Sequence, residues 1–367
     1  MKISTGIFSN LDVAYDISKL TDLRSALFVD IETTGLSPKN SFIYMIGMAY
    51  YEGGAWCFKG LFAENAADEE TILKEFKAFS SSYTTLIHFN GNRFDLPFIK
   101  ERLAANGIES HLDGFDGIDI YKRITPYKHI LGISNCKQKT IEEYLGIDRI
   151  DEYSGGELIN VYKEYMENKN LDLYDLLFQH NHDDLLGMLM ILPMLSYADI
   201  FISDVHVDKV TANTYKDHIG GLSRELMIDF SLGFSVPHQV SFNANDCYVS
   251  IKGSKGLLKI PIYHEELKYF YENYKEYYYL PMEDMAIHKS VAIYVDKEFR
   301  EQAKASNCYT RVISDFLPQW DYLMSPFFKR EYDSKHLYFE LTEELKSNRA
   351  FFSKYTEHLL QMMLQYK

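Results

Sequence analysis

With 367 residues, 46% of them apolar, the chain is long for a single hydrophobic core, and two domains are the first expectation. Its net charge of −15, divided as −12 over residues 1–200 and −3 over residues 201–367, argues against tight, sequence-indifferent binding of long duplexes and leaves a short grip on a strand end as the easier nucleic-acid contact. Four scattered cysteines, Cys57, Cys136, Cys247 and Cys308, offer neither a zinc-ligand spacing nor a disulfide framework, and no apolar run suits a signal peptide or a membrane span, so a soluble cytoplasmic protein is expected.

The predicted elements begin after a polar lead-in over residues 1–23. Ala26 to Ile31 reads as a buried strand, Phe42 to Tyr51 as a second that ends at Gly53 and Gly54, and Trp56 to Phe62 as a third. Between Asp68 and Phe79 the apolar residues Ile72, Leu73, Phe76 and Phe79 keep a helical spacing, with acidic residues in the first turn. Thr85 to Phe89 is a short strand, followed by a loop and a helix to about Ala105. Ile118 to Ile124 reads as a fifth strand, and Thr140–Leu145 and Leu158–Met166 as short helices. A longer helix runs from Leu173 to Leu195, with Pro193 expected to kink or end it. This is an α/β plan. Beyond residue 200, alternating stretches such as Val240–Phe242, Tyr248–Ile251 and Leu257–Ile262 predict a β-rich region, with helices at Lys297–Ala305 and Thr342–Leu364.

Three clusters carry candidate chemistry. At the end of the first strand, alternation puts Asp30 and Glu32 on one face, so two carboxylates stand side by side. Their repulsion, on the order of a few kcal/mol when partly buried, has to be offset by a cation or by protonation. The Thr33-Thr34-Gly35-Leu36 turn follows; Gly35 permits close backbone approach to a phosphate, and the threonine hydroxyls are potential donors to it. A solvated strand end is the bland alternative. Next, Asp95 closes the stretch Asn90-Gly91-Asn92-Arg93-Phe94-Asp95 at a helix start, where it is either a third carboxylate of the site or an ordinary helix cap. Last, Gln179-His180-Asn181-His182-Asp183-Asp184 lies inside the long helix. His180 and Asp184, four apart, share a face, whereas His182 lies about 160° round the axis from Asp184. An exposed polar turn is the alternative here. The first two clusters fall at a strand end and a helix start and the third inside the long helix, all facing one edge of the sheet.

In this order, DIETTGL, NGNRFD and HNHDD resemble the three exonuclease motifs of the DEDD superfamily, and the wording is closest to its YprB-like branch; Asn90 to Asp95 is also similar to the proofreading domain of family B DNA polymerases. The resemblance spans about residues 24–195. It implies an RNase H-like mixed five-stranded sheet flanked by helices over residues 24–200, with a smaller β-rich α+β region over 201–367. It also implies a metal-dependent 3′-5′ exonuclease that releases nucleoside 5′-monophosphates from DNA or RNA 3′ ends, single strands above all. Asp30, Glu32, Asp95 and Asp184 would hold two divalent cations, Mg²⁺ or Mn²⁺, which suit all-oxygen ligands. Thr33, Thr34, Gly35, Leu36, Asn90 and Phe94 would meet the substrate, Leu36 as an apolar wedge under the last base.

The resemblance expects the general base as Tyr four residues, or His five residues, before the last aspartate. This sequence departs from both patterns, since His180 stands at four and Gln179 at five, and His180 is assigned the role. A competing reading keeps the fold without turnover, as a catalytically inactive nucleic-acid or partner-binding protein. The second half also resembles YprB-like proteins but implies no chemistry. There Lys252, Lys255 and Lys259 with Tyr248 and Tyr263 form either a strip for single strands or a solvated hairpin edge, the latter favoured, and Tyr269–Tyr279 is expected to be core or domain interface.

Overall fold

In a computed structural model the chain divides into two compact units, Met1–Ala198 and Asp199–Lys367, and the structure describes residues 1–9, 11–148, 153, 155–216 and 220–365. The amino-terminal unit opens with a strand inside the segment read as a lead-in, β1 (Lys2–Ile7), whose side chains alternate between half-buried and exposed. Then follow β2 (Ala26–Thr33), β3 (Ile43–Glu52) and β4 (Ala55–Phe62). Helix α1 (Glu69–Ser80) leads to β5 (Thr85–His88), and α2 (Asp95–Ala105) to β6 (Asp116–Asp119). The remainder is helical: α3 (Ile120–Ile124), α4 (Lys128–Leu131), α5 (Gln138–Leu145), α6 (Gly155–Asn168) and α7 (Leu171–Met190).

The sheet order is β1-β4-β3-β2-β5-β6. The first four strands are antiparallel, while β5 and β6 continue parallel to β2. The mixed sheet therefore has six strands and not five. The extra one, β1, was hidden because Ile3 and Ile7 face outward while Lys2, Ser4 and Gly6 take the half-buried positions, the reverse of the usual alternation. A second correction concerns Ile118–Ile124: the strand stops at Asp119, whose side chain accepts the Lys122 N–H and turns the chain into α3.

Every residue of β2 is buried except Asp30, which is half-exposed. That continuous apolar run is what a strand covered on both faces requires. Asp30 lies opposite Gly47 on β3, and a side chain at Gly47 would collide with Asn181 of α7. A Cβ at Gly60 of β4 would sit 2.9 Å from the Phe178 ring. These two glycines bring α7 close to the sheet. Asn170 caps α7 by accepting the Asp172 N–H at 2.9 Å, and the helix gives way to a 3-10 turn at Leu192–Leu195, which contains Pro193.

The carboxy-terminal unit is built on a five-stranded antiparallel sheet. Its strands are β7 (Val205–Lys216), β8 (Leu222–Leu232), β9 (Val240–Ala244), β10 (Cys247–Lys252) and β11 (Lys255–Pro261), ordered β7-β8-β11-β10-β9. Two three-stranded sheets and a helix at Arg349–Gln365 complete it. The helix expected at Lys297–Ala305 is a 3-10 turn, Lys297–Phe299, followed by the short strand Glu301–Gln302, and Thr342–Leu364 is broken by Ser347 into two helices. Lys255 and Lys259 pair with Asp208 at 3.1 Å and Glu225 at 3.5 Å, but β11 lies between β8 and β10, so the expected hairpin edge is an interior strand of the sheet. In the aromatic run, Tyr271 stacks on Tyr277 at 4.4 Å. No helix among the described residues is long and apolar enough to cross a membrane.

Candidate active site

The end of β2 places Asp30 and Glu32 on the face that α7 crosses, and the register with β3 shifts between Glu32 and Thr33. Such a bulge bends the strand and re-aims the side chains beside it. From α7, one turn apart, come His180 and Asp184. His180 Nε2 lies 3.2 Å from Asp184 Oδ2 and 3.5 Å from Glu32 Oε1. Ligand atoms of Glu32, His180 and Asp184 all lie within 4.8 Å of one another, the metal-compatible group found among the described residues. Asp95 enters from the first turn of α2 and is buried with Glu32.

Electrostatics ties the four carboxylates together. Burial pushes Glu32 up to about 8; His180 pulls it down, and the charges of Asp184 and Asp95 push it further up. Asp95 rises to about 7, again by burial first, with backbone hydrogen bonds opposing and Asp119 and Asp184 adding to the rise. Asp30 is raised well above the ordinary carboxylate range by desolvation and by the charges of Asp184, Asp95 and Glu32. Asp30 and Glu32 thus feel the charges of Asp95 and Asp184, and Asp95 that of Asp184, so the site favours bound protons or a cation over four bare charges.

Two supporting residues escaped the sequence analysis. Asn181 Nδ2 donates to Asp30 Oδ2 at 2.8 Å, and Tyr44 donates to Glu32 Oε2 at 3.5 Å. Asn181 carried a signal, for it stands between Leu177 and Leu185 at four-residue spacing, a polar group on an apolar stripe that needs a buried partner. Tyr44, in a strand of apolar residues, carried none.

The remaining sequence-predicted residues divide. Leu36 is 83% exposed at the turn beside the cluster. The Thr33 hydroxyl donates to Gly35 O at 2.9 Å, and Thr34 Oγ1 exchanges hydrogen bonds with the Phe42 backbone, so the donors expected to face a phosphate serve the turn instead. Gly35 lies close against Ser41, where a Cβ would sit 2.5 Å from its hydroxyl. Asn90 adopts a left-handed φ of 60° and donates its N–H to Asp119, and Phe94 packs on Phe98 at 5.4 Å, half-buried. His182 faces away from the acidic cluster. Its ring packs 4.9 Å from Phe8 and 4.8 Å from Phe58, and its Nδ1 lies 3.3 Å from Asp183.

The family profile described as RNase_H superfamily matches residues 27–195. Those residues carry an RNase H-like fold. Among solved structures, the family B DNA polymerase of Pyrobaculum calidifontis is similar at 17% identity with a TM-score of 0.38, over 48% of this chain and 25% of the polymerase. An exonuclease I structure is similar at 12% identity and a TM-score of 0.30, over 56% of this chain and 54% of the other. The E. coli exonuclease I complex with single-stranded DNA, in a zinc-bound form, is similar at 10% identity and a TM-score of 0.30, over 93% of this chain and 74% of the other. The chain thus spans a quarter of the polymerase and about half of the first exonuclease I. No curated protein matches it. In the RNase H-like domain the carboxylates lie where β2 and α2 present their ends to α7.

Proposed function

We propose that the RNase H-like domain is a metal-dependent 3′-5′ exonuclease of the DEDD superfamily and its YprB-like branch, releasing nucleoside 5′-monophosphates from single-stranded DNA or RNA ends. The observation that carries this reading is His180 Nε2 set between Glu32 and Asp184 in a cluster of four mutually repelling carboxylates. An oxygen-rich donor set in which Glu32 and Asp95 retain protons into the neutral range fits hard divalent cations. Two such ions, Mg²⁺ or Mn²⁺, held by Asp30, Glu32, Asp95 and Asp184, would supply Lewis-acid polarisation of the scissile phosphate.

The chain's own residues do the rest. His180 takes the proton of the attacking water at Nε2, the nitrogen it turns toward Glu32 and Asp184. Asn181 and Tyr44 orient Asp30 and Glu32 by donating to one oxygen of each. Leu36 offers an exposed apolar surface to the terminal base. Thr33, Thr34 and Gly35 shape the turn that presents Leu36, and Asn90 and Phe94 border the approach to Asp95.

The test is incubation of the purified chain with 3′- and 5′-labelled DNA and RNA oligonucleotides in Mg²⁺, Mn²⁺ or chelator. Single-nucleotide ladders that require metal and vanish in Asp184→Asn are expected. A folded protein that cleaves none of these substrates would replace the enzyme with the inactive, nucleic-acid-binding reading.

A further inference from the structure

Beyond the four carboxylates, the structure buries a further aspartate, Asp119, whose contacts converge on the loop that delivers Asp95. Strands β5 and β6 are parallel and in register, with His88 and Asp119 opposite each other at their last positions. After His88 the chain must reverse within six residues to begin α2 at Asp95. Three consecutive backbone N–H groups of that loop point back at these two strand ends. Asn90 N–H donates to Asp119 Oδ1 at 2.9 Å, Gly91 N–H to His88 Nδ1 at 3.1 Å, and Asn92 N–H to Asp119 Oδ2 at 3.4 Å. Successive N–H groups in such a turn form a concavity for an anion, and here the anion is the protein's own carboxylate.

Asp119 also accepts the Lys122 N–H at 3.3 Å and is only 5% exposed, so both oxygens are committed. Nδ1 of His88 acts as an acceptor, which leaves that nitrogen without a proton; burial, which pushes the imidazole downward, favours the same neutral form. The loop has no slack. Asn90 is held at a left-handed φ of 60°, and a Cβ at Gly91 would lie 2.7 Å from the His88 ring and 3.0 Å from Asp95 Oδ2. A shift of the loop away from Asp119 therefore moves Asp95.

We propose that Asp119 is a positioning residue for the acidic site: its carboxylate, seated in the N–H groups of Asn90 and Asn92 with His88 beside it, holds Asp95 within reach of Glu32 and Asp184. The inference rests on the reading of Asp95 as a metal ligand. An ordinary loop cap would affect stability alone. A positioning residue must also alter what Asp95 does, so the readout has to be the ion as well as the fold.

The decisive substitution is Asp119→Asn, which keeps the size but sets an amide N–H₂ against one of the loop's N–H groups, donor against donor. Mn²⁺ binding to the full chain without nucleic acid, followed by the electron paramagnetic resonance of the free ion, is expected to weaken by about 10- to 100-fold. In the metal-free protein the Asn90 and Asn92 amides are expected to exchange faster while those of α7 keep their protection. Where the wild type cleaves, kcat is expected to fall by a similar factor with KM for the oligonucleotide nearly unchanged. Gly91→Ala displaces the same loop with Asp119 intact, and it decides the matter if Asp119→Asn does not fold; the same loss of Mn²⁺ affinity is expected. Wild-type Mn²⁺ affinity in the folded variant, or unchanged exchange at Asn90 and Asn92, would overturn the proposal. If the wild type binds Mn²⁺ but cleaves nothing, the exonuclease reading fails, and the role of Asp119 is still judged on ion affinity alone.

Discussion

His180 and His182 occupy one helix two residues apart, yet they meet opposite surroundings. His180 reaches two carboxylates through Nε2, while His182 is wedged among Phe8, Phe58 and Phe178. The proposed roles therefore separate by measurement. His180→Ala is expected to slow cleavage by about 10² to 10⁴ while leaving Mn²⁺ binding in place, because proton transfer is lost but the carboxylates remain. His182→Ala is expected to cost about 1–3 kcal/mol of stability through lost packing, with turnover per folded molecule retained. Loss of turnover in the second variant and not the first would reassign the base. Leu36 gives a third contrast. At 83% exposure it contributes little to the fold, so Leu36→Ser should leave the melting temperature unchanged. It should raise KM for oligonucleotides several-fold, as expected for about 1 kcal/mol of apolar contact with the terminal base. An unchanged KM would remove Leu36 from the substrate surface.

At the scale of elements, what was legible and what was not follow the physics of burial. The strand β2 stood out as an apolar run covered on both faces, and the helix α7 as a buried face that repeats apolar residues at helical period. Their carboxylates, interrupting such patterns, were legible for the same reason. Strand β1 was not, since its half-buried positions are Lys2, Ser4 and Gly6 while Ile3 and Ile7 are exposed, and β6 was overrun because Ile120 and Ile124 continue the apolar pattern into a helix. Nor can a linear pattern reveal a partner such as Asp119, whose donors come from a loop 27 and 29 residues away. The element-scale prediction concerns Gly47, which lies opposite Asp30 and beneath Asn181. Gly47→Ala is expected to force α7 off β3, costing about 1–3 kcal/mol by overpacking. It should also weaken Mn²⁺ binding, since the displaced Asn181 no longer donates to Asp30. Chemical denaturation and ion titration of the same variant check both effects, and a destabilised protein with wild-type ion affinity would show that Asn181 does not orient the site.

For the whole molecule, the acidity of the chain and the chemistry of the site meet in how stability depends on pH and metal. Glu32, Asp95 and Asp30 hold protons in the native state to higher pH than in the unfolded chain, with values of about 8 and about 7 for the first two and an upward shift for the third. Between the unfolded and native values the native state binds more protons, so the contribution of these groups to stability falls as pH rises and is fully present only below the unfolded carboxylate range. His88, His111 and His358 are shifted downward by burial and act in the opposite direction, but only below about 6.5, the unperturbed imidazole value. The window from about pH 6.5 to 8.5 therefore excludes the histidines; toward its upper end the Met1 amine, raised against the opposing effect of burial by Asp68 and Glu64, acts in the same direction as the carboxylates. In chelator, the melting transition of the amino-terminal unit is expected to drop across this window. Divalent ions replace the protons, so added Mg²⁺ or Mn²⁺ should raise the transition more at pH 8.5 than at 6.5. A hundredfold excess over Kd corresponds to about 2.7 kcal/mol, several degrees for a unit of this size. Asp30→Asn removes one of the repelling charges and should flatten the decline in chelator while shrinking the response to metal. A metal-free transition that holds steady or climbs from pH 6.5 to 8.5 would mean that the four carboxylates do not share their charge as the geometry requires, and the ion-binding assignment built on them would go with it.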